Sequence, residues 1–388
     1  MWNGSDVIVV GAGIVGSSAA HSLASAGASV TLVEQTHPAG GPSGKSSALL
    51  HAFYLVPELS QLAMRGLEIL TSLPEISGEG PFVSQIGMMW VCGEDNRADW
   101  AAAAERIRGE GAQIQTLTPQ AFADAAPGFA LDDVALALWE PEYGYADAFG
   151  ATNAIARAAR ARGAMLKQNT LVSRLIRRGD RITGIELADG TVMEADAIVL
   201  AAGPWTRRLL ATIELDLPLH VERHPMAVLD AGGKARQVMP FAWCDDISCN
   251  YARPDNDGVV LAGTWAGGGT GIRHQAAGRP RFVENPDHYM EGVEEGESVE
   301  IVETFSSRVP AMLDLGIRQG YAGLYDMSPD DLPVAGAMPG VEGLFVSAGS
   351  SGHGFKTGPA VGEAMARLVM QGPQPILAPF SPARFMAS

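Results

Sequence analysis

Cysteine is scarce in this sequence of 388 residues, which contains only Cys92, Cys244 and Cys249. The three form neither a CxxC motif nor a cluster with histidine, so we expect no zinc site, no other bound metal and no disulfide framework. Unpaired thiols are typical of a reducing compartment. The sequence therefore predicts a cytoplasmic protein.

Basic residues are also few, with 27 Lys and Arg against 44 Asp and Glu, and the net charge is −17. This balance argues against binding to nucleic acid or to an anionic membrane surface, because both need a positive protein face. Charged residues make up 18% of the chain, below the roughly 25% of an average soluble protein. Together with 47% apolar residues, this composition excludes intrinsic disorder and favours extensive buried surface.

The sequence has no uninterrupted long apolar run. The most apolar stretch, Val7 to Val33, is broken by Gly11, Gly13, Gly16 and His21, and no basic segment precedes it. We therefore predict neither a signal peptide nor a transmembrane helix.

The same N-terminal stretch has the pattern of a βαβ unit. Val7–Val10 and Ser29–Val33 are short apolar runs typical of buried parallel strands, and Ile14–Ala26 between them has helical spacing. Gly11, Gly13 and Gly16 form a GxGxxG motif between the first strand and the helix, where backbone N–H groups bind a pyrophosphate. Glu34 ends the second strand, at the position that binds adenosine ribose hydroxyls and that would repel the 2′-phosphate of NADP. The unit predicts dinucleotide binding.

Two later segments favour FAD over NAD. Ile198 to Trp205 is a strand followed by a small-residue turn, and Gly349 to Lys356 is a glycine-rich turn before the last helix. A flavin ring is larger than a nicotinamide and needs its own cradle, and a helix N-terminus stabilises the anion formed on flavin reduction. The pattern predicts an FAD site built from three separated pieces of chain.

The rest of the chain mixes helices with antiparallel material. Alternating runs at Leu171–Arg177, Ile182–Leu187 and Thr191–Glu194 predict a β-meander. We expect a helix ending at Pro74, a solvated helix over Arg97–Arg108, and a last helix over Gly358–Met370. The acidic segment Asp287–Glu303 predicts a solvated face with a helix, and the glycines of Gly263–Gly271, around Trp265, suggest a loop over a pocket.

Four blocks of the sequence resemble the D-amino-acid oxidase superfamily of FAD-dependent amine oxidoreductases. They are the βαβ unit with its GxGxxG motif, IVLAAGPW, GLYDMSPDDLPVAG (Gly323–Gly336) and LFVSAGSSGHGFKTGPAVGEAMA (Leu344–Ala366). The third and fourth blocks are most similar to sarcosine and dimethylglycine oxidases and dehydrogenases. The resemblance implies an α/β fold, with a Rossmann-type FAD-binding domain and an inserted antiparallel α+β substrate domain.

On this resemblance we expect an FAD-binding domain at 1–80, 146–215 and 317–388, and a substrate-binding domain at 81–145 and 216–316. The expected cofactor-binding residues are Gly11, Gly13, Ile14, Val15, Gly16, Glu34, Gln35, Ser43, Gly44, Lys45, Ser46, Ser47, Ala202, Gly203, Trp205, Gly349, Gly352, His353, Gly354, Phe355 and Lys356. Relatives that bind flavin covalently use a cysteine near the position of Gly323, or a histidine in the loop Ser43–Ser47. Neither is present, so we predict non-covalent FAD.

The resemblance also implies oxidation of the C–N bond of a small amino acid, by hydride transfer to the flavin and hydrolysis of the resulting imine. The substrate is expected to be a secondary or N-methyl amine, with a D-amino acid or glycine as the alternative within the superfamily. The candidate catalytic or substrate-binding residues are His51, Tyr54, Arg223, Tyr251, Arg253, Tyr325, His353 and Lys356.

Several points stay open at this level. The substrate carboxylate could be bound by Arg223, Arg253 or Lys356, and either Arg223 or His224 could face the cavity. The electron acceptor could be oxygen, a quinone or a protein, and the protein could form oligomers. More remote alternatives are a NAD-dependent dehydrogenase and a non-catalytic flavoprotein subunit.

Overall fold

The computed structural model describes residues 6–255, 258–265 and 281–386. Its helices are α1 (Ile14–Ser25), α2 (Pro57–Ser77), α3 (Arg97–Gly109), α4 (Pro119–Ala125), α5 (Ala148–Ala161), α6 (Thr206–Ala211), α7 (Ala235–Val238), α8 (Glu295–Ser306) and α9 (Gly354–Gln371). Within the described ranges, no helix is long and apolar enough to cross a membrane.

Along the chain, segments that contribute strands to one large sheet alternate with segments that contribute strands to the other. They are β1 (Asp6–Val10), β2 (Ser29–Val33), β3 (Leu49–Leu50), β4 (Val83–Ser84), β5 (Met88–Cys92), β6 (Gln115–Leu117), β7 (Leu136–Glu140), β8 (Gly144–Ala146), β9 (Met165–Lys167), β10 (Val172–Arg178), β11 (Arg181–Leu187), β12 (Val192–Glu194), β13 (Ala197–Leu200), β14 (His220–Asp230), β15 (Ala242–Asp245), β16 (Asn250–Asp255), β17 (Val259–Thr264), β18 (Gly316–Met327), β19 (Val334–Ala337) and β20 (Leu344–Ala348).

A six-stranded sheet in the order β19-β20-β13-β1-β2-β9 forms the Rossmann-type part of the fold. Its pairs are parallel except for β19 with β20. Val7 and Val9 pack in the core that contains α1 and α9, whereas Ile8 and Val10 pack in the core that contains β10 and β11. Both faces of β1 are therefore covered, which is why the strand is apolar at consecutive positions.

The second large sheet has eight strands in the order β18-β14-β17-β16-β15-β5-β7-β6. It is antiparallel except for the parallel pair β5–β15. The alternation of apolar and polar residues along a strand does not reveal whether the strand pairs in parallel. The mixed α/β fold class is confirmed. The division into two domains remains a proposal, and sheet membership favours a last boundary after Met327, because β18 pairs with β14 along its length.

Three local predictions need correction. Helix α2 continues through Pro74 to Ser77, because this proline lies in the last turn and only one upstream carbonyl loses its partner. Helix α3 is not a solvated element. It buries Trp100, Ala103, Ala104 and Ile107, whose spacing of three and four residues makes one apolar face.

The last helix, α9, begins at Gly354, four residues before the predicted start. Gly358 lies inside this helix and is needed for packing, since a Cβ on it would lie 2.6 Å from Ile14 Cγ2. Lys356 is therefore in the first turn of a helix. The β-meander prediction is confirmed as the antiparallel sheet β10–β11–β12. The acidic segment Asp287–Glu303 includes the N-terminal part of α8, which continues to Ser306. Of the predicted loop around Trp265, residues 266–271 lie outside the described residues.

Candidate active site

A long cleft runs between the two large sheets and encloses about 1480 Å³, its open mouth included. It is lined by the turn after β1, the loop 41–47 and the turn after β13 on one side, and by β14, β16 and β18 on the other.

The GxGxxG turn is shaped by close backbone contacts. Gly11 has φ +97°, and a Cβ there would lie 2.4 Å from the carbonyl oxygen of Ala201 in the turn after β13. A Cβ on Gly16 would lie 1.9 Å from the carbonyl oxygen of Gly11, so α1 packs directly on the turn. The motif thus brings the start of α1 against the ends of two parallel strands, which is the position of phosphate sites in such sheets.

Glu34 links the end of β2 to this turn. Its carboxylate accepts hydrogen bonds from the N–H of Ala12 at 2.8 Å and the N–H of Thr36 at 3.0 Å. The side chain lines the cleft and is 8% exposed. It presents negative charge at the place where a dinucleotide fold binds ribose hydroxyls.

The loop before β3 forms the opposite wall of this part of the cleft. Ser43 Oγ accepts a hydrogen bond of 3.0 Å from the N–H of Ile14, which brings the loop over the start of α1. Lys45 Nζ donates to the hydroxyl of Tyr289 at 2.6 Å and lies 3.1 Å from Glu291. The side chain of Lys45 is thus held by the segment that precedes α8.

Most of the expected cofactor residues line the cleft. Those that do are Gly11, Gly13, Ile14, Val15, Glu34, Gln35, Ser43, Lys45, Ser46, Ser47, Ala202, Gly203, Trp205, Gly352, Gly354 and Phe355. Gly16, Gly44, Gly349, His353 and Lys356 lie outside its lining. Gly16 and Gly44 serve packing, since a Cβ on Gly44 would lie 2.2 Å from the carbonyl oxygen of Ala39.

The residues present fit FAD. Glu34 and Gln35 would hold the adenosine ribose, and Gly13 and Ser43 border the phosphate position at the start of α1. The cleft then continues to the glycine-rich turn at Gly352, where a Cβ would lie 2.9 Å from the ring of Tyr325 and the φ is +83°. A side chain at this position would therefore collide with Tyr325, and only glycine fits the turn.

Six of the eight expected substrate residues come together beside this cleft, in what we call the buried cluster: His51, Tyr54, Tyr251, Tyr325, His353 and Lys356, joined by Glu140 and Cys244. His353 Nδ1 lies 3.1 Å from the hydroxyl of Tyr54, and Lys356 Nζ lies 5.8 Å from the centre of the Tyr54 ring. Tyr251 and Tyr325 hydrogen-bond through their side chains and line the cleft.

His51 and Tyr54 are in the loop between β3 and α2. The rings of His51 and Tyr54 are 4.8 Å apart. His51 Nδ1 lies 3.2 Å from the carbonyl oxygen of Phe53, which can only accept, so Nδ1 carries the proton and Nε2 is left as an acceptor.

Burial controls the charges in the cluster. It lowers the pKa of His353 to about 3 and that of His51 well below its ordinary value, and the positive charge of Lys356 lowers both further. Burial also lowers the pKa of Lys356 to about 8. The pKa values of Tyr54 and Tyr251 are raised, mainly by burial. At neutral pH the histidines and tyrosines are therefore neutral.

The two expected arginines are elsewhere and already paired. Arg223 binds both carboxylate oxygens of Glu297, at 2.6 and 2.9 Å, and is not part of the cleft lining. Arg253 donates to the carbonyl oxygen of Ser47 at 2.7 Å and stacks over the ring of Tyr145 at 4.1 Å. These contacts tie strands to neighbouring segments and do not favour carboxylate binding by either arginine.

Sequence reasoning left His224 as an alternative to Arg223 and missed several other residues of the site. His224 lines the cleft, and its ring stacks on that of Tyr325 at 3.8 Å. Met226, Tyr321 and Asp326 also line the cleft. Alternation along strands could have found some of them, because His224 and Met226 share one face of β14 and Tyr321 shares a face of β18 with Tyr325. Glu140 carried no local signal, since its partners are the N–H groups of the distant Ala52 and Phe53.

The Rossmann-type sheet, the glycine-rich turns and the cleft define the chain as an FAD-binding oxidoreductase. The model of the DAO family, described as FAD dependent oxidoreductase, matches residues 6–368. The chain therefore belongs to this family, and it is an FAD-dependent enzyme.

Two curated relatives match most of this chain. The N-methyl-L-tryptophan oxidase of Yersinia pestis (strain Pestoides F) is 28% identical over 98% of this chain and 99% of its own length. The 4-methylaminobutanoate oxidase (formaldehyde-forming) of Paenarthrobacter nicotinovorans is 27% identical over 94% of this chain, and the match spans only 43% of that protein.

Solved structures with low sequence identity share the fold. The L-proline dehydrogenase from P. horikoshii has a TM-score of 0.86 at 24% identity, covering 99% of this chain and 98% of that chain. The glycine oxidase from Geobacillus kaustophilus has a TM-score of 0.81 at 23% identity, covering 99% of both chains.

Proposed function

We propose that the protein oxidises the C–N bond of a small amino acid that carries a secondary or N-methyl amine, such as sarcosine, and that water hydrolyses the resulting imine. One observation carries the proposal. Lys356 is a buried cation beside the cleft, and no carboxylate of the described chain forms an ion pair with it, whereas Arg223 and Arg253 are paired. The names of the two curated relatives, both of which refer to methylated amines, support the choice of amine.

Bound FAD supplies the hydride acceptor for this oxidation. The chain's own residues bind and orient the substrate. Lys356 would hold the substrate carboxylate, and fixing that group directs the amine and its neighbouring C–H bond toward the cleft. His51 Nε2, left unprotonated by the bond of Nδ1 to Phe53, would accept a hydrogen bond from the substrate amine.

Anaerobic mixing with candidate substrates tests the proposal. The flavin absorbance of the purified enzyme should be bleached by sarcosine or another N-methyl amino acid, with formation of an aldehyde. Bleaching by glycine or D-alanine but not by sarcosine would support the D-amino acid or glycine alternative. A colourless protein that takes up no FAD would contradict the proposal altogether.

We further propose that FAD is held without a covalent bond. Cys92, Cys244 and Cys249 are buried and do not line the cleft, and Gly323 faces Lys45 with no side chain of its own. Acid precipitation should leave the yellow colour in the supernatant. His224 is the cleft residue to examine if the colour stays with the polypeptide.

The identity of the electron acceptor decides whether the enzyme is an oxidase or a dehydrogenase. We expect reoxidation of the reduced enzyme by oxygen, by a quinone or by a protein acceptor, in a cytoplasmic setting. Rates of reoxidation measured in air-saturated buffer and with an added quinone under argon distinguish the first two. Slow rates with both would favour a protein acceptor.

A further inference from the structure

Residues 285–291, which precede α8 and are called the bridging segment below, contact both sides of the cofactor cleft. Their backbone is fixed to the side formed by β14 and β18. The side chain of Arg223 on β14 donates to the carbonyl oxygen of Met290 at 2.7 Å. The N–H of Ala322 on β18 donates to the carbonyl oxygen of Glu291 at 2.7 Å. The segment is therefore attached to the antiparallel sheet.

Side chains of the bridging segment reach the opposite side of the cleft, at the turn after β13. Asp287 accepts a hydrogen bond of 2.6 Å from the indole Nε1 of Trp205 and one of 2.7 Å from Arg208 Nη1. Asn285 Oδ1 accepts a further hydrogen bond of 2.9 Å from Arg208 Nη2. Trp205 and Arg208 both line the cleft. Asp287 thus holds two lining side chains of the Rossmann-type part of the fold.

Tyr289 and Glu291 make a second connection across the cleft, to the loop 41–47. The hydroxyl of Tyr289 accepts a hydrogen bond of 2.6 Å from Lys45 Nζ, which also lies 3.1 Å from Glu291 Oε2. The same hydroxyl lies 3.4 Å from the carbonyl oxygen of Ala322, to which it donates. One hydroxyl group therefore contacts Lys45 on one side of the cleft and β18 on the other.

The bridging segment holds these lining side chains from outside the cleft, because none of its residues is part of the lining. It leaves the space of the cofactor free and limits how far the two sides can separate. A ligand enclosed between two sides of a cleft leaves only when they open locally. Each exposed ion pair contributes little by itself. The contacts of Lys45, Trp205 and Arg208, however, must all break for the cleft to open along this edge.

We propose that Asp287 and Tyr289 are positioning residues of the cofactor site, whose contacts across the cleft slow the release of FAD. This inference rests on the proposed non-covalent binding of FAD and is independent of the substrate. Without a covalent link, the lifetime of the bound cofactor is set by how often the cleft opens. Differences in affinity between variants of one binding site arise mostly from the dissociation rate. The dissociation rate of FAD is therefore the quantity to measure.

Exchange of bound FAD for an excess of isotope-labelled FAD measures this rate in the holoenzyme. Asp287→Ala removes the contacts to Trp205 and Arg208. Asp287→Asn keeps an oxygen that can accept from Trp205 but removes the charge opposite Arg208. Tyr289→Phe removes the hydroxyl that contacts Lys45 and keeps the ring.

Asp216→Ala is the matched control. Asp216 accepts hydrogen bonds from Nε and Nη2 of Arg207, at 2.7 and 2.9 Å, in an ion pair about as exposed as that of Asp287 with Arg208. Neither Asp216 nor Arg207 lines the cleft, and their pair does not cross it. Both alanine variants remove an aspartate from an exposed arginine, but only D287A removes a contact across the cleft.

We expect FAD to dissociate about three- to tenfold faster from D287A, the size of effect that loss of exposed hydrogen bonds to charged groups produces. D287N should lie between D287A and the unchanged enzyme. Y289F should also exchange FAD faster, and the double variant D287A/Y289F fastest. D216A should exchange FAD at the rate of the unchanged enzyme. The flavin absorbance spectrum should be the same in all of these holoenzymes, because the lining of the cleft is retained.

The possible failures are distinguishable. If D287A exchanges FAD no faster than the unchanged enzyme, the contacts across the cleft do not control release and the inference is overturned. Equal acceleration in D287A and D216A would indicate a general loosening of the surface and would overturn it as well. If no variant exchanges FAD and the flavin stays with the denatured polypeptide, the proposed non-covalent binding fails, and with it this inference.

Discussion

Arg308 and Lys356 are both buried cations, 4% and 8% exposed, but their surroundings are opposite. Arg308 Nε lies 2.8 Å from Asp245 and its Nη1 lies 2.6 Å from Asp133. Lys356 forms no ion pair with any carboxylate in the described part of the chain. The pKa of Arg308 is raised by its two aspartates against the effect of burial, whereas burial lowers the pKa of Lys356 to about 8.

The comparison separates two uses of a buried charge. When the protein supplies the counter-ions at contact distance, as for Arg308, the charge fixes one arrangement of the chain and is unavailable to a ligand. When the charge is left without a contact partner, as for Lys356, the protein bears an energetic cost that a ligand of opposite charge can relieve. Arg223, with its two bonds to Glu297, belongs with Arg308.

The largest effect is expected from Arg308→Met. Asp245 is fully buried and would lose its counter-ion, so the free energy of unfolding should fall by about 3–5 kcal/mol. Urea unfolding at saturating FAD measures the change. Arg318→Met, which breaks the exposed pair with Asp230, should cost less than about 1 kcal/mol. If R308M and R318M lose the same amount of unfolding free energy, the buried ion pair of Arg308 contributes no more than an exposed one.

Lys356→Met should make the protein more stable at pH 7. Unfolded lysine keeps its proton up to about pH 10.5, but Lys356 in the fold keeps it only up to about pH 8, so unfolding takes up a proton between these values. Stability of the unchanged enzyme therefore rises with pH from 8 to 10.5, and the charged form costs about 3 kcal/mol below pH 8. The advantage of K356M should shrink over that window. If K356M is less stable than the unchanged enzyme at pH 7, other groups of the protein must stabilise the charged form of Lys356.

The same variant should lose affinity for carboxylates. A hydrogen bond to a charged group contributes about 1.5–3 kcal/mol, so propionate should bind on the order of 10- to 100-fold more weakly to K356M. Propionamide should be affected much less. Unchanged propionate binding, measured through the flavin spectrum, would remove Lys356 from the site.

The smallest effect on carboxylate affinity is expected from Arg223→Met. Its guanidinium is occupied by Glu297 and by the carbonyl oxygens of Met290 and Gly292, so the substitution should lower stability and leave propionate binding within about twofold. Purification with full FAD content followed by the same titration checks this. A large loss of propionate affinity in a stable R223M enzyme would place a carboxylate contact on β14.

The dinucleotide-binding part of the cleft was predictable because its residues are close in sequence. β1, the GxGxxG turn, α1 and β2 follow one another, and the steric demands of Gly11 and Gly16 are local consequences of a tight turn against a strand. The meander and the strands before the other two turns also followed from hydrophobic periodicity. The start of α9 was predicted four residues too late, because Gly354 and Gly358 are poor helix formers in isolation. The packing of Gly358 against Ile14, more than 300 residues away, is not visible in the local sequence.

The buried cluster was only partly predictable because its members come from separate elements. His51, Tyr54 and Lys356 were found through family resemblance, but Glu140 has no motif around it and reaches the cluster through the pairing of β7 with β5. The sequence likewise could not decide whether Arg223 or His224 faces the cleft. Neighbouring residues of a strand point to opposite faces, and which face meets the cleft depends on how β14 is placed between β17 and β18.

The sequence by itself determined the Rossmann-type unit, the FAD cofactor and the family, because these depend on short-range patterns of glycine and apolar residues. Only the tertiary structure decided which cation is available to a substrate. Arginine and lysine are equivalent candidates in a sequence. Whether each cation forms an ion pair depends on carboxylates contributed by distant parts of the chain. Folding pairs Arg223 with Glu297 and buries Lys356 without an ion pair to any described carboxylate. This difference in pairing is the physical reason that we assign the substrate carboxylate to Lys356.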